Sequence, residues 1–157
     1  MRMGIGYDIH GLVEKKILTL GGVEIPYKKG LLGHSDADVL LHAICDAILG
    51  AAALGDIGTH FPDTDPKFKN ARSTDLLARV NQLISALGFR VNNIDSVVIA
   101  QEPKIMPFSN KIKENIAEIL NMDQSYIGVK ATTNEGIGAI GKGEAIASFA
   151  VVTLNKK

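Results

Sequence analysis

With 157 residues, 46% of them hydrophobic and 22% charged, the chain is long enough for one domain with a real core and short for two. Lys plus Arg and Asp plus Glu both total 17, with no long basic block, which argues against a general binder of nucleic acid or of a membrane surface. The single Cys45 excludes an intramolecular disulfide framework and fits a reducing compartment. No apolar run approaches the ~20 residues that span a bilayer, and residues 1–4 lead into a strand without a signal-peptide pattern, so the expected location is the cytoplasm.

Residues 3–10 read as a first strand. Asp8 and His10 are two apart, so on an extended strand both side chains leave the same face. Residues 17–20 and 23–25 read as a hairpin about Gly21-Gly22, a pair suited to a two-residue turn with positive φ. Pro26 closes it, and Lys28-Lys29-Gly30 reads as a loop. Ser35, with Asp38 three residues on, resembles a capping box. The helix it opens runs through Val39, Leu40, Ala43, Ile44, Ala47 and Ile48 to residues 51–53. His42 then sits one turn past Asp38, and Asp46 one turn past His42.

Residues 55–58 end that helix, and residues 60–66 read as an irregular acidic loop stiffened by two prolines. Ser73 reads as the N-cap of a second helix, with Leu76, Leu77, Val80, Leu83, Ile84 and Leu87 as its apolar stripe and Gly88 just past its end. Residues 97–100, preceded by alternating Val91 and Ile94, make a buried strand. Pro107 opens a third helix with Phe108, Ile112, Ile116, Ile119 and Leu120 inside. Residues 127–133 form a strand, residues 134–143 a glycine-rich run, and residues 145–154 a last strand. This order predicts an α+β fold: a mixed β-sheet with three main helices on one face. The other sheet face carries Val, Ile and Ala side chains that need a cover, which points to a closed oligomer.

Three of the four histidines fall in residues 6–10 and 31–42. Asp8, His10 and His42 offer one carboxylate and two imidazoles, the ligand set of a catalytic zinc site with an open fourth position. Each alone could be an ordinary polar residue; the set, in a chain so poor in histidine, raises the metal reading. Asp46 could orient an imidazole from behind or be a helix-surface carboxylate. His34 and Ser35 at a helix start suit a phosphate, or Ser35 only caps. The acids from Asp56 to Asp65 could bind hydroxyls of a polyol or simply form turns. Glu135, at a strand end, could hold a hard cation such as Mg²⁺ on phosphate oxygens. The glycine run matches neither the dinucleotide nor the Walker pattern. His60 reads as structural.

The strings at residues 2–10, 31–38, 55–58, 61–65 and 130–135, in that order, closely resemble the 2-C-methyl-D-erythritol 2,4-cyclodiphosphate synthase family of non-mevalonate isoprenoid biosynthesis. The resemblance runs from about residue 1 to the last strand. It implies a homotrimer with active sites between subunits, acting on a small nucleotide-linked substrate, 4-diphosphocytidyl-2-C-methyl-D-erythritol 2-phosphate, and releasing the cyclic diphosphate and CMP. It implies Zn²⁺ on Asp8, His10 and His42, and a second divalent ion, Mg²⁺ or Mn²⁺, held with help from Glu135. His34 and Thr133 would stabilise the reacting phosphates. His34, Ser35, Asp56, Ile57, Gly58, Phe61 and Asp63 would hold the methylerythritol end. Residues 100–106, Lys104, Ile105 and Met106 among them, would form the neighbouring subunit's cytidine pocket, beginning at Ala100, with Ala131, Thr132 and Thr133. Ala139 and Lys142 replace the family's usual aromatic and arginine beside the trimer pore; Lys142 keeps the charge without the bidentate fork. Two other classes compete: a zinc phosphohydrolase using the same ligands to activate water, and an isoprenoid-phosphate binding protein with structural zinc.

Overall fold

Strand β1 (Arg2–Glu14) alternates Met3, Ile5, Tyr7 and Ile9 on one face with Gly4, Gly6, Asp8 and His10 on the other. In the computed structural model, which describes residues 1–62, 64–65 and 71–157, helix α1 (Val39–Ala52) lies on the second face. It lies very close. A Cβ built on Gly6 would fall 1.9 Å from the Ala43 carbonyl oxygen, and one on Gly4 would fall 2.1 Å from that of Ala47. Only glycine leaves room for the helix backbone there.

The hairpin β2 (Leu18–Leu20) and β3 (Val23–Ile25) forms as expected, with Gly21 and Gly22 at φ +60° and +73°. After it, residues 29–31 are not loop but a short strand, β4 (Lys29–Leu31), paired antiparallel with residues 12–14. β1 therefore continues past His10, and the two candidate ligands sit mid-strand rather than at its end. Beyond α1 come a one-turn helix α2 (Ile57–His60), α3 (Ser73–Ala86) and β5 (Phe89–Ile99). Then follow α4 (Ser109–Leu120), entered through a 3₁₀ turn carrying Pro107, and β6 (Ile127–Thr132). A short turn of helix, α5 (Gly138–Gly141), and β7 (Ala145–Lys156) complete the order. The α2 turn corrects the irregular reading at His60. Part of the acidic loop lies outside the described residues.

The sheet runs β4-β1-β7-β5-β6. Only the β5/β6 pair is parallel, bridged by α4, so the sheet is mixed. Helices α1, α3 and α4 pack on one side and close a core that includes Leu40, Leu41, Ile44, Ile48, Leu77, Ile84 and Ile112. On the other side Met3 is 72% exposed and Ile5 68%, beside Tyr7, Ile9, Phe149 and Val151. That apolar face is the one expected to need a cover.

Two capping expectations are corrected. α1 is capped by Asp38, whose carboxylate accepts from Leu41 N at 3.1 Å, and not by Ser35. The same buried carboxylate accepts from Gly21 N (3.0 Å) and Gly22 N (2.7 Å), so one side chain caps the helix and anchors the hairpin turn. Ser73 is the first residue of α3, after Arg72, and its hydroxyl donates to Asp36 instead of capping.

Burial pushes the Asp38 pKa up to about 6, against the three N–H groups that favour its anion. Because the folded value is raised, the stability this group contributes is full below about pH 4 and is lost as pH rises through about 6. A carboxyl-carbon NMR titration should place its midpoint near 6; a midpoint below 4 would mean that the amide donors outweigh burial. Gly6→Ala should lower the unfolding free energy in urea by roughly 2–3 kcal/mol through overpacking. An unchanged midpoint would show that α1 can move off the sheet.

Candidate active site

The glycine contact decides what faces what at the centre of the site. With α1 seated on Gly4 and Gly6, the His42 ring in the first turns of the helix hangs beside the Asp8 and His10 side chains on β1. Asp8 Oδ2 lies 2.9 Å from His10 Nε2 and 2.9 Å from His42 Nδ1. The candidate ligand atoms of the three residues all lie within 4.8 Å of one another. Among the described residues no other group of His, Cys, Asp and Glu converges in this way.

The electrostatics follow from the geometry. Partial burial alone would raise the Asp8 carboxyl, but hydrogen bonds and charge from His10 and His42 hold it well below the usual carboxylate range. The Asp8 hydrogen bond raises His10, and burial opposes it. His10 Nδ1 lies 2.7 Å from the Leu32 carbonyl oxygen, which can only accept, so its proton sits on that side and Nε2 turns to Asp8. Two ring nitrogens thus face one carboxylate oxygen at hydrogen-bond distance. The centre needs positive charge, as protons or as a cation. One oxygen and two nitrogens with an open side fit a divalent metal, whose tetrahedral ligands would stand about 3.3 Å apart.

Around this wall opens a cleft of about 360 Å³ lined by His10, His34, Ser35, His42, Ile57, Gly58, Phe61, Pro62 and Leu76. Five residues nominated for the methylerythritol end or the phosphates (His34, Ser35, Ile57, Gly58 and Phe61) therefore share a cavity with two of the nominated metal ligands. Asp56 caps α2 through Thr59 N and Thr59 Oγ1, both at 2.8 Å, and does not line the cleft. Asp63 lies outside the described residues. Asp46 does not orient an imidazole: its carboxylate accepts from Ile57 N at 2.7 Å and so ties α2 to α1. The groups beside His42 Nε2 are the hydroxyls of Ser73 (3.0 Å) and Ser35 (3.2 Å). Ser73 escaped sequence reasoning because it lies 31 residues from His42 and resembles a cap.

A second cleft, of about 430 Å³, gathers Ala100, Gln101, Pro103, Lys104, Ile105, Met106, Pro107, Ala131, Thr132 and Thr133. Every residue nominated for the cytidine pocket by name lines it, and Gln101, Pro103 and Pro107 join them. Thr133 donates to Glu135 Oε1 at 2.6 Å, so Glu135 is tied to a residue of this cleft without lining it and stands outside the Asp8–His10–His42 group. Lys142 belongs to neither; with Lys28, Lys29 and Glu102 it borders a smaller hollow of about 160 Å³. One chain thus keeps His34 and Thr133 in separate clefts.

Among the described residues no helix is long and apolar enough to cross a membrane. The family model of the YgbB family matches residues 1–155. The 2-C-methyl-D-erythritol 2,4-cyclodiphosphate synthase of Clostridium perfringens is 59% identical over 99% of this chain and 100% of its own length. The bifunctional IspDF from Campylobacter jejuni superposes at a TM-score of 0.96 with 47% identity over 99% of this chain, which spans 42% of that longer one. The IspF of Plasmodium falciparum, in complex with CDP, superposes at 0.87 with 43% identity, covering 99% of this chain and 96% of its own. Full-length identity and a shared fold together make the chain a member of the YgbB family, an enzyme of the 2-C-methyl-D-erythritol 2,4-cyclodiphosphate synthase type.

Proposed function

We propose that residues 1–157 act as one domain of a homotrimer that converts 4-diphosphocytidyl-2-C-methyl-D-erythritol 2-phosphate to 2-C-methyl-D-erythritol 2,4-cyclodiphosphate and CMP. The observation that carries this reading is the convergence of Asp8, His10 and His42 on the wall of the cleft that holds His34 and Ser35. The CDP complex of the Plasmodium relative supports the diphosphocytidyl half.

The 2-phosphate oxygen attacks the β-phosphorus in line, and the α–β bridging oxygen leaves with CMP. The nucleophile is already an anion, so no activated serine or cysteine is needed. The task left to the protein is to crowd and align mutually repelling phosphates. Asp8, His10 and His42 would hold Zn²⁺ and Glu135 would help hold Mg²⁺ or Mn²⁺; when bound, these ions supply Lewis-acid neutralisation of the phosphate charge. His34 and Thr133 stabilise the reacting phosphates from two sides. Ser35, Asp56, Ile57, Gly58, Phe61 and Asp63 seat the methylerythritol chain. Ala100, Lys104, Ile105, Met106, Ala131 and Thr132 of the adjacent subunit seat the cytidine. Phe61 and Ile57, both half-buried on the cleft wall, limit access of water, whose attack would yield the open-chain side product.

The trimer is supported by two features of the single chain. Most of the nominated substrate-binding residues divide between two clefts, and the helix-free sheet face is apolar and open. The soluble substrate and balanced charge fit a cytoplasmic enzyme without nucleic-acid or membrane partners.

Single-turnover conversion followed by phosphorus NMR tests the chemistry. The wild type should give cyclic diphosphate and stoichiometric CMP, and His42→Ala should lose both by at least about 10³-fold, as when groups stabilising a transition state are removed. CMP with an open-chain diphosphate would instead make water the nucleophile. For the assembly, His42→Ala and Thr133→Ala, each inactive alone, should recover about a quarter of wild-type activity when unfolded and refolded together, because random closure of a ring pairs one intact cleft of each kind at that frequency. No recovery would place both halves of the site within one subunit.

A further inference from the structure

Asp36 and Ser73 meet beside the metal-site reading without a role in it. Ser73 is fully buried at the start of α3, and its hydroxyl donates to Asp36 Oδ1. The other Asp36 oxygen accepts from Ser73 N at 3.1 Å, and Oδ1 also faces Asp38 N at 3.4 Å. A hydroxyl has one proton, and a carboxylate has none to give. With that proton committed to Asp36, Ser73 Oγ can only accept from His42 Nε2, 3.0 Å away. Ser35 Oγ, 3.2 Å from the same nitrogen, accepts from Ala37 N at 3.0 Å and keeps both a proton and a lone pair, so it can serve Nε2 in either sense and the nearer Ser73 Oγ decides the direction.

We infer that Asp36 and Ser73 are positioning residues for His42: they fix its proton on Nε2 and so turn the Nδ1 lone pair toward Asp8 and the metal site. The inference rests on reading Asp8, His10 and His42 as metal ligands. Leu32 does the same for His10 from the opposite side, through a carbonyl that can only accept. With a cation in place of the protons that otherwise bridge the rings to Asp8, the two rings would be held in opposite tautomers, His10 protonated on Nδ1 and His42 on Nε2, each presenting its bare nitrogen to one point. A hydrogen-bonded partner behind a metal-binding imidazole sets ring orientation and basicity, and its loss typically weakens metal binding 10- to 100-fold.

Asp36→Asn is the sharper variant. Its amide must direct the NH₂ group at either Ser73 N–H or Ser73 Oγ. The first sets two donors face to face at 3.1 Å, whereas the second meets Asp38 N only at 3.4 Å and gives the NH₂ an acceptor, so the NH₂ turns to Oγ. The hydroxyl proton is then released toward His42 Nε2, which favours the tautomer with a proton on Nδ1, where the metal should bind. Ser73→Ala removes the nearer acceptor and leaves only Ser35, which can serve Nε2 in either sense, but keeps the backbone tether from residue 73 N to Asp36, so α3 should stay docked.

The test titrates metal-free wild type, Ser73→Ala and Asp36→Asn with Co²⁺, and records the ¹⁵N shifts of the His42 ring in each apoprotein with its thermal midpoint. The wild type should bind Co²⁺ and, metal-free, show a protonated His42 Nε2. Both variants should bind it about 10- to 100-fold more weakly, and Asp36→Asn should shift the ring toward the Nδ1–H form. A purely structural role would lower the thermal midpoint and leave the ¹⁵N pattern unchanged. Equal Co²⁺ affinity and unchanged ring shifts in all three proteins would overturn the inference alone. No Co²⁺ uptake by the wild type would overturn the metal reading, and the inference with it.

Discussion

The approach of α1 to β1 at Gly4 and Gly6 governs the rest of the molecule. A side chain at either position would collide with helix backbone, not with a flexible group that could swing away. The helix therefore sits against the strand at main-chain distance, and the His42 ring falls beside Asp8 and His10. A larger residue at Gly6 would lift the helix and separate ligands that must stand within a few ångströms. Strand alternation completes the arrangement: the parity that sends Gly4 and Gly6 under the helix also sends Asp8 and His10 to the same side. Packing and chemistry thus use one face of one strand.

Asp38 is the second fixed point. Its buried carboxylate holds the first turn of α1 and the tip of the β2–β3 hairpin together. The helix that carries His42 is in this way locked at its N-terminus as well as along its length. A buried charge of this kind is costly unless its oxygens are fully engaged. Here three backbone N–H groups engage them, at the positive end of the helix dipole.

The two clefts of one chain hold complementary chemistry. The first carries imidazoles and a serine beside half-buried apolar walls; the second carries backbone-rich, proline-bordered segments with two threonines. The unoccupied side of the sheet, with its exposed Met3, Ile5 and Phe149, has the character of a surface that associates. Association through such a face is a physical route by which separate clefts could be completed between subunits.

Much of this was legible in the residues alone. Alternation on β1, the Gly-Gly turn, the stripes of α3 and α4, and the rarity of histidine around Asp8, His10 and His42 are local signals. They depend only on periodicity and on side-chain chemistry. What local signals could not settle was which of several equivalent polar groups takes which partner. Ser35, Asp38 and Ser73 all resemble caps, yet only Asp38 caps a helix through its side chain, while the two serine hydroxyls turn to His42. Asp46 had the spacing to back an imidazole, and it binds Ile57 N instead. Lys29 to Leu31 pair with a strand whose length only the fold reveals. A short polar side chain can satisfy itself locally or at long range for similar free energy, so its choice is made by whichever donors the packed backbone brings within 3 Å. Local pattern specifies most of the elements and the ligand types, whereas short elements such as β4 and the partner of each polar group follow from the fold, because they depend on distances between residues far apart in the chain.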